Sequence, residues 1–592
     1  MFLAFNPLLL LLWIFLICFV PGVLLSFSIF RKSDLLAIEK VLIGFGLGIV
    51  ILPLIPFLMY ILLGIKYSYL VAEVSVVLFY AITTAFFIRS KAYSDFVFQM
   101  PSKFVPSREM ALSLLIGIIV VVVFLVRLST YSPVFMELDP YYYTYIPQQI
   151  LVFGENPIND KTSWFPDVVV SHRTVPDLAY LEALWYSFYT GGGAYDNMLL
   201  AVIASVYPPI AAGLAVFFLY MLISSFYRRE WGLLAAGIAA FIPVFLMKTL
   251  AGEMEIQPFA FFSLAFFFSM YARMIVGYEL RYTLLAALGF IAVALGSASG
   301  ILAISVMLIF IPLQSIFFFL KDKDESNLKK ILISNAIILV LGVLLFGGII
   351  KGLFTSGTPS ISDSIPLVLV LLFSAALYSI KNFSAGLYSI KKFLPAETGN
   401  YIFGGLILVG LVLFFFSPLG DAIKKVGEAG IGVARFNVPL DRTIAEQNPA
   451  GSDFSGQFGF IATGYPSVVD TLLGWISDLV NAGLAAMVWF LNAVLDANIE
   501  YNAKTNSLLM LWIFLFGLAL IYSLARMIKG ESTPVLLIAV IVLPPLLIGL
   551  LKAKYTIYAG FLLAVAIAFV FGEMESVLKK IFSAIKNDLV NF

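Results

Sequence analysis

Charged residues are scarce in this sequence, and histidine and cysteine are almost absent. Only 12% of the 592 residues are charged, whereas soluble domains carry about a quarter. A single histidine, His172, excludes zinc hydrolases, haem relays and other sites built from several imidazoles. The single cysteine, Cys18, cannot form an intrachain disulfide. The net charge of +1 gives no electrostatic footprint for a nucleic-acid partner.

Apolar residues make up most of the chain instead: 61% are hydrophobic, and the mean hydropathy is +1.02. Apolar runs of about 18 residues or more recur, and each can cross the hydrocarbon core of a bilayer as a helix. The pattern predicts an all-α polytopic membrane protein with about sixteen spans. The predicted spans lie near 7–30, 40–63, 70–88, 111–130, 197–224, 231–250, 257–276, 282–297, 300–320, 331–350, 365–380, 401–418, 475–495, 507–527, 534–551 and 555–572.

Two long polar loops, near 131–196 and 419–474, interrupt the spans, and such loops are where function tends to lie. If the first loop faces outward and the spans alternate, the inner loops up to residue 400 hold 18 Lys and Arg residues and the outer side holds six. This bias is the one that inner loops show. We therefore expect both long loops on the outer face of an integral protein of the cell membrane, in an archaeon or a bacterium.

The first candidate segment is Glu137-Leu138-Asp139-Pro140 followed by three tyrosines, directly after a span. Carboxylates at the membrane boundary are costly unless they are hydrated, paired or bound to a cation. Asp139 is therefore a candidate ligand for a hard metal such as Mg²⁺ or Mn²⁺, which prefers carboxylate oxygens. The alternative is an interfacial loop with a belt of tyrosines.

The second candidate segment joins two apolar spans and reads Lys248-Thr-Leu-Ala-Gly-Glu253-Met-Glu255-Ile-Gln257. Two glutamates, a glutamine and a lysine are more than a short connection needs. This excess indicates a functional segment, and a generic polar hairpin tip is the alternative.

The third segment, in the second long loop, contains Thr443-Ile-Ala-Glu446. Four residues of this kind are common in proteins, and only the position in an outer loop gives them meaning. Two further sets of basic residues are candidates. His172 and Arg173 in the first loop could contact a phosphate or form a paired loop contact. Arg526 flanks a late span, where a snorkelling anchor is the default interpretation.

These three segments, in this order, resemble the catalytic subunit of oligosaccharyltransferase, a member of the membrane-embedded GT-C glycosyltransferases. The likeness runs from about 111 to 572, which includes about thirteen of the predicted spans, the number that the family has. Aligning Gly252 with the glycine of the family's second motif puts Glu255 at its first acidic position and Gln257 at its second, with Glu253 as an extra carboxylate.

The resemblance implies roles for these residues. Asp139 would contact a divalent cation and the acceptor amide, and Glu255, with Gln257 or Glu253, would complete the metal shell. Glu446, with Thr443, would position the acceptor asparagine. Basic residues would lie near the donor phosphates: Lys248 first, with His172, Arg173 and Arg526 as further candidates.

The resemblance also implies a reaction, the transfer of a glycan from a polyprenyl-(pyro)phosphate lipid to an acceptor, with Mg²⁺ or Mn²⁺ as cofactor. The leaving phosphate needs charge stabilisation, and the weak nucleophile needs orienting carboxylates. The family carries a soluble C-terminal domain with a Trp-Trp-Asp-type motif, whereas no Trp-Trp pair occurs here. We therefore expect a short form, in which an accessory subunit recognises a protein acceptor or the acceptor is not asparagine.

Two other functions stay open at this stage. One is a transferase that uses a polyprenyl-phosphate sugar and acts on a lipid or glycan acceptor. The other is a transporter or flippase of lipid-linked glycans, although the acidic groups lie at the ends of spans and no repeated halves are visible. The expected organisation is an accessory membrane segment at 1–110, a GT-C-like catalytic domain at 111–572 and a short tail at 573–592.

Overall fold

The computed structural model describes residues 5–96, 107–131, 139–156, 159–160, 169–170, 175–297, 299–321, 325–346, 361–383, 507–529, 534–551 and 556–590. Within these ranges the chain is almost entirely helical, as predicted. One two-residue antiparallel ladder pairs Asn159–Asp160 with Val169–Val170. The helices are α1 Pro7–Ile29, α2 Ala37–Leu63, α3 Tyr69–Ser90, α4 Arg108–Leu128, α5 Asp139–Phe153, α6 Pro176–Thr190, α7 Asn197–Ala204, α8 Tyr207–Ser224, α9 Arg229–Phe241, α10 Pro243–Met247, α11 Ile256–Gly277, α12 Leu280–Gly296, α13 Gly300–Lys321, α14 Glu325–Phe346, α15 Ile361–Phe383, α16 Ser507–Ile528, α17 Pro534–Leu551 and α18 Thr556–Val590.

Short polar residues and glycines set the helix ends. Asn6, Ser68 and Asp196 each accept hydrogen bonds from backbone N–H groups of the first turn that follows them, which satisfies donors that the helix leaves free. Gly64 and Gly191 end α2 and α6 with positive φ angles of 67° and 61°, a conformation that glycine adopts without strain.

Seven helices of the described chain are long and apolar enough to cross a membrane, which supports an integral membrane protein. They are Pro7–Ile29, Ala37–Leu63, Tyr69–Ser90, Arg108–Leu128, Asn197–Ser224, Ile256–Gly277 and Thr556–Ser583. Five shorter apolar helices lie in α12, α13, α15, α16 and α17. The count of sixteen stays a prediction, because the predicted spans 401–418 and 475–495 lie outside the described residues.

The predicted span 231–250 is not one helix. Pro243 splits it into α9 and α10, and Ile242 before it is extended, with φ −61° and ψ 122°, because a proline disfavours the helical conformation of the residue that precedes it. The last predicted span, 555–572, continues without a break to Val590. The first predicted loop contains two helices, α5 and α6.

Helix α8 lies at the centre of the bundle, packed against α4, α9 and α11. In the span Asn197–Ser224, 94% of the most apolar window is buried, against 22% for Arg108–Leu128. Helices α1 and α2 form an adjacent layer in which Gly22, Gly44 and Gly48 allow very close backbone contact. Helix α18 packs against α9, α10, α16 and α17.

Arginine–carboxylate pairs gather where α9 begins, and we call this region the basic end. Arg229 Nε lies 3.1 Å from Glu39 Oε1, Arg108 Nε lies 2.8 Å from Glu230 Oε1, and a further pair joins Arg228 to Glu575 at 3.0 Å. The opposite end of α9 leads through α10 into the segment that precedes α11. We call that region the acidic end, because Lys248, Glu253, Glu255 and the start of α5 lie there.

Candidate functional site

The second predicted segment folds into a compact turn between α10 and α11, which we call the acidic turn (residues 248–255). Lys248 Nζ lies 3.1 Å from Glu255 Oε1 and 3.7 Å from Glu253 Oε2. Both glutamates are almost completely buried, with 6% and 3% of their surface exposed. The lysine is therefore held between two carboxylates that have little access to water.

Buried Arg127, in the last turn of α4, holds the acidic turn in place. Its Nε donates to Thr249 Oγ1 at 2.6 Å, and a second guanidinium nitrogen donates to the Ala240 carbonyl at 3.0 Å. The guanidinium carbon also lies 5.0 Å from the centre of the Phe245 ring, a favourable cation–π distance. The Arg127 carbonyl in turn accepts from the Ala251 N–H at 3.1 Å.

The backbone conformation of Gly252 explains why a glycine occurs at this position of the acidic turn. Its φ of +95° is strained for any residue with a side chain, and its N–H points to the Ser205 carbonyl at 3.4 Å. The turn is thereby fixed to the α7–α8 junction before the chain reaches Glu253.

Helix α5, which begins at Asp139, packs against the acidic turn. Thr144 Oγ1 lies 3.1 Å from Met254 Sδ, and Asp139 is about 7.5 Å further along the helix axis. The Asp139 side chain is exposed at the helix start. At the other end of α5, the Tyr67 N–H donates to the Gly154 carbonyl at 2.9 Å. Two of the three predicted segments are thus neighbours.

Behind the acidic turn lie polar groups that the sequence analysis missed. The hydroxyl of Tyr207, the first residue of α8, is within electrostatic range of Glu182, Glu253 and Glu255. Glu182, on α6, is completely buried, and its two carboxylate oxygens have no hydrogen-bond partner among the described residues. Burial raises the pKa of Glu182 well above its ordinary value, because the charged form is poorly solvated there.

Asp177, one turn earlier on α6, is in the same situation as Glu182. It is fully buried, its oxygens have no partner within the described ranges, and burial likewise raises its pKa. A sequence signal existed, because two acidic residues interrupt a largely apolar helix. Such a pattern usually marks the solvated side of a surface helix, so neither residue stood out.

The oxygen atoms at the acidic turn have the chemistry of a hard-metal site. Gln257 Oε1 is buried and has no hydrogen-bond partner in the described part of the chain. The carboxylates of Glu253 and Glu255 share the Lys248 ammonium as an ion-pair partner. Carboxylate and amide oxygens suit Mg²⁺ and Mn²⁺. Among the described residues, no three His, Cys, Asp or Glu side chains are grouped closely enough to hold a metal ion by themselves.

Of the remaining predicted site residues only Arg526 is described, and it does not lie at this turn. Arg526 pairs with Glu573 at 3.1 Å, and Glu573 also accepts from the Tyr227 hydroxyl at 2.6 Å. Tyr227 follows the end of α8, a helix of 18 residues that is about 27 Å long, whereas Tyr207 at its start faces the acidic turn. Arg526 therefore lies at the basic end. His172, Arg173, Thr443 and Glu446 lie outside the described residues.

No protein-family model and no curated protein sequence matches this chain. Solved structures do match. The archaeal oligosaccharyltransferase AglB from Archaeoglobus fulgidus, in complex with an inhibitory peptide and a dolichol-phosphate, aligns with a TM-score of 0.54 at 16% identity over 81% of this chain. The apo form of the Archaeoglobus fulgidus enzyme gives the same values, and the form tethered to an acceptor peptide with the sequon NVT gives a TM-score of 0.52.

This chain spans about half the length of those relatives, 52% for the first two and 51% for the third. At this level of identity the likeness concerns the fold. The resemblance inferred from the three sequence segments is thereby confirmed for the architecture: the chain has a helical membrane fold like that of the archaeal oligosaccharyltransferase.

Proposed function

We propose that this protein is a membrane glycosyltransferase of the oligosaccharyltransferase type, with its active site at the acidic end. The observation that carries the proposal is the group formed by half-buried Lys248 with the buried Glu253 and Glu255, with the helix that begins at Asp139 packed against it. Buried charges beside a membrane are costly to maintain and are commonly functional. The shared fold with an oligosaccharyltransferase supports this chemistry over transport.

The donor would be a glycan on a polyprenyl phosphate or pyrophosphate. A dolichol-phosphate is bound in one of the similar structures, and a site at the end of the spans is within reach of such a lipid. Lys248 is the described residue best placed to stabilise the leaving phosphate, because it lies in the turn before α11, beside both carboxylates. His172 and Arg173 remain further candidates for the phosphate.

A divalent cation, Mg²⁺ or Mn²⁺, fits the oxygen donors present. Glu255, Glu253 and Gln257 would hold it with Asp139 from α5, and when bound it would neutralise charge that develops on the leaving phosphate. The carboxylates themselves would orient the acceptor, and they hold the Lys248 ammonium in position. Burial excludes water, which strengthens every one of these interactions.

The acceptor would be the side-chain amide of a protein asparagine. Asp139 would contact that amide, and Glu446 with Thr443 would position it from the second long loop. A peptide with an NVT sequon is tethered to one of the similar enzymes. An accessory subunit is a further candidate for acceptor recognition.

The active site would face the outside of the cell membrane. The arginines of the basic end lie opposite the acidic turn, and basic residues prefer the inner side of a membrane. A lipid-linked glycan and an unfolded acceptor segment would then meet at the outer surface.

A transfer assay in membranes tests the proposal. A labelled polyprenyl-linked glycan is supplied with a sequon peptide, with or without a chelator, to wild type and to the variants Asp139→Ala, Glu255→Ala and Glu446→Ala. We expect a metal-dependent product with wild type and a loss of about 100-fold or more in each variant. The matched control is Glu155→Ala, because Glu155 follows α5 at the same end but pairs with Lys66 in an exposed position.

The acceptor is tested in the same assay by replacing the peptide with a lipid or a glycan. Product on these acceptors alone would replace protein glycosylation with a polyprenyl-phosphate-sugar transferase. Unchanged transfer in all three variants would remove the site assignment, and movement of the donor across the bilayer without transfer would identify a flippase.

A further inference from the structure

The basic end contains a cavity of about 320 Å³. Four arginines and two acidic residues line it, together with smaller groups: Arg108, Arg228, Arg229, Arg273, Asp34 and Glu109. The charged lining therefore carries two more positive than negative charges. The cavity lies between the ends of α4, α8, α9 and α11, on the opposite side of the bundle from the acidic turn.

The four arginines differ in their partners. Arg108 and Arg228 both contact Glu230, and Arg229 contacts Glu39. Arg273 has no carboxylate partner among the described residues. Its contact there is Met221 Sδ, 3.8 Å from a guanidinium nitrogen, and its buried Nε has no hydrogen-bond partner in those ranges.

An arginine without a counter-ion is expensive in this position. Arg273 is half-buried in the last turns of the apolar span Ile256–Gly277, and its buried Nε needs a hydrogen-bond acceptor there. Asp34 and Glu109 line the same cavity, and neither forms an ion pair with Arg273 among the described residues. Within the described part of the chain, an anion that enters the cavity would complete the site.

We propose that this cavity binds a phosphate group, carried by the headgroup of an anionic membrane lipid, with the Arg273 guanidinium as its principal ligand. The planar guanidinium matches the geometry of phosphate and can donate two hydrogen bonds to it. Basic pockets between helices at the inner membrane surface are suited to such headgroups. The site is separate from the proposed active site and does not depend on the transferase activity.

Native mass spectrometry of the full chain, purified in detergent, tests this site. Phosphatidylglycerol is titrated against wild type and Arg273→Gln, with phosphatidylcholine as the zwitterionic reference. We expect wild type to prefer phosphatidylglycerol, and the variant to bind it about tenfold more weakly, as the loss of a charge-assisted pair of hydrogen bonds implies. A parallel titration in the presence of inorganic phosphate distinguishes the source: competition indicates a site for free phosphate, and its absence indicates a lipid headgroup.

Arg281→Gln is the matched control. Arg281 lies at the same end of the bundle, pairs with Glu279 at 2.6 Å and does not belong to the cavity lining, so its removal should leave lipid binding unchanged. If Arg273→Gln fails to fold, Arg273→Lys keeps the charge but removes the planar fork, and binding should still fall several-fold. Equal binding of the two lipids by wild type, or equal losses in the Arg273 and Arg281 variants, would overturn the proposal.

Discussion

The two ends of the helical bundle use charge in opposite ways. At the basic end most carboxylates are paired with arginines or with hydroxyl and N–H donors. The Glu39 carboxylate, for example, accepts three hydrogen bonds, from Leu36, Tyr220 and Arg229. At the acidic end the described residues include Glu182, Asp177 and Tyr207, whose buried oxygen atoms have no partner. A satisfied network stabilises a fold, whereas unsatisfied buried groups, which at the basic end include Arg273 Nε, reduce its stability and are retained where function needs them.

The largest effect is expected when the acidic turn loses one charge. Glu255→Gln keeps the side-chain volume but removes the carboxylate nearest Lys248, so we expect transfer to fall by about 100- to 1,000-fold, which is the usual cost of losing one electrostatic contribution at an active site. The equivalent change at the basic end, Glu230→Gln, should alter the rate by less than about threefold. The transfer rates of the two variants are measured in proteoliposomes. Similar losses in both would contradict the proposal that only the acidic end takes part in transfer.

The second effect concerns stability and belongs to the basic end. Glu39→Ala removes a fully buried carboxylate that serves three donors, and we expect unfolding to become easier by roughly 3 kcal/mol, because Arg229 and Tyr220 lose their shared acceptor. Glu39→Gln, which keeps an acceptor oxygen, should cost less. Equilibrium unfolding in mixed micelles measures both variants. Transfer per folded molecule should stay at the wild-type level, and a selective loss of activity would contradict the assignment.

A smaller effect, of opposite sign, is expected from Glu182. Its pKa is raised by burial above the ordinary value of 4.5, so the folded protein holds a proton that the unfolded chain releases, and wild-type stability falls as the pH rises above that value. Glu182→Gln removes this dependence. At about pH 7.5 the variant should unfold roughly 2 °C higher than wild type, and near pH 4.5 the two should coincide. A variant that is less stable at every pH would show that the carboxylate is needed in its charged form.

The smallest effect should come from the exposed pair at the acidic end. Lys66 and Glu155 lie 2.5 Å apart, but their side chains are 64% and 46% exposed, and exposed ion pairs contribute little. Glu155→Gln should leave the unfolding midpoint within about 1 °C of wild type, and the difference should vanish in high salt. A large shift would mean that position in the bundle, rather than burial, governs the energetics of its charges.

Hydropathy predicted most of the helices because length and apolarity are what a bilayer selects. It missed α6, since Asp177 and Glu182 lower the hydropathy of a helix that protein rather than lipid surrounds. It also joined α9 and α10 into one span, although Pro243 separates them. In both cases the deciding factor was local chemistry or tertiary packing, which an average over a window does not register.

The candidate site was predictable to the extent that it lies in one stretch of sequence. Lys248, Glu253 and Glu255 meet within a single turn, so their spacing alone placed them together. The contribution of Tyr207 and Glu182 depends on packing between α6, α8 and the turn, which the sequence does not reveal. The family resemblance makes Arg526 a candidate for the donor phosphate because of its late position, whereas the structure places it at the basic end. The side of the membrane on which a late residue lies depends on every span before it.

The contact between Gly154 and Tyr67 joins the first helices to α5. A methyl group at position 154 would meet the backbone oxygen of Tyr67 and Cβ of Lys66, each at 2.9 Å. The C-terminal end of α5 therefore packs closely against the loop that follows α2. That loop therefore supports one end of the helix that begins at Asp139, fifteen residues back along the chain, and that contacts the acidic turn through Thr144. A protein that lacked the first helices would need another contact to hold this end of α5, and with it the position of Asp139.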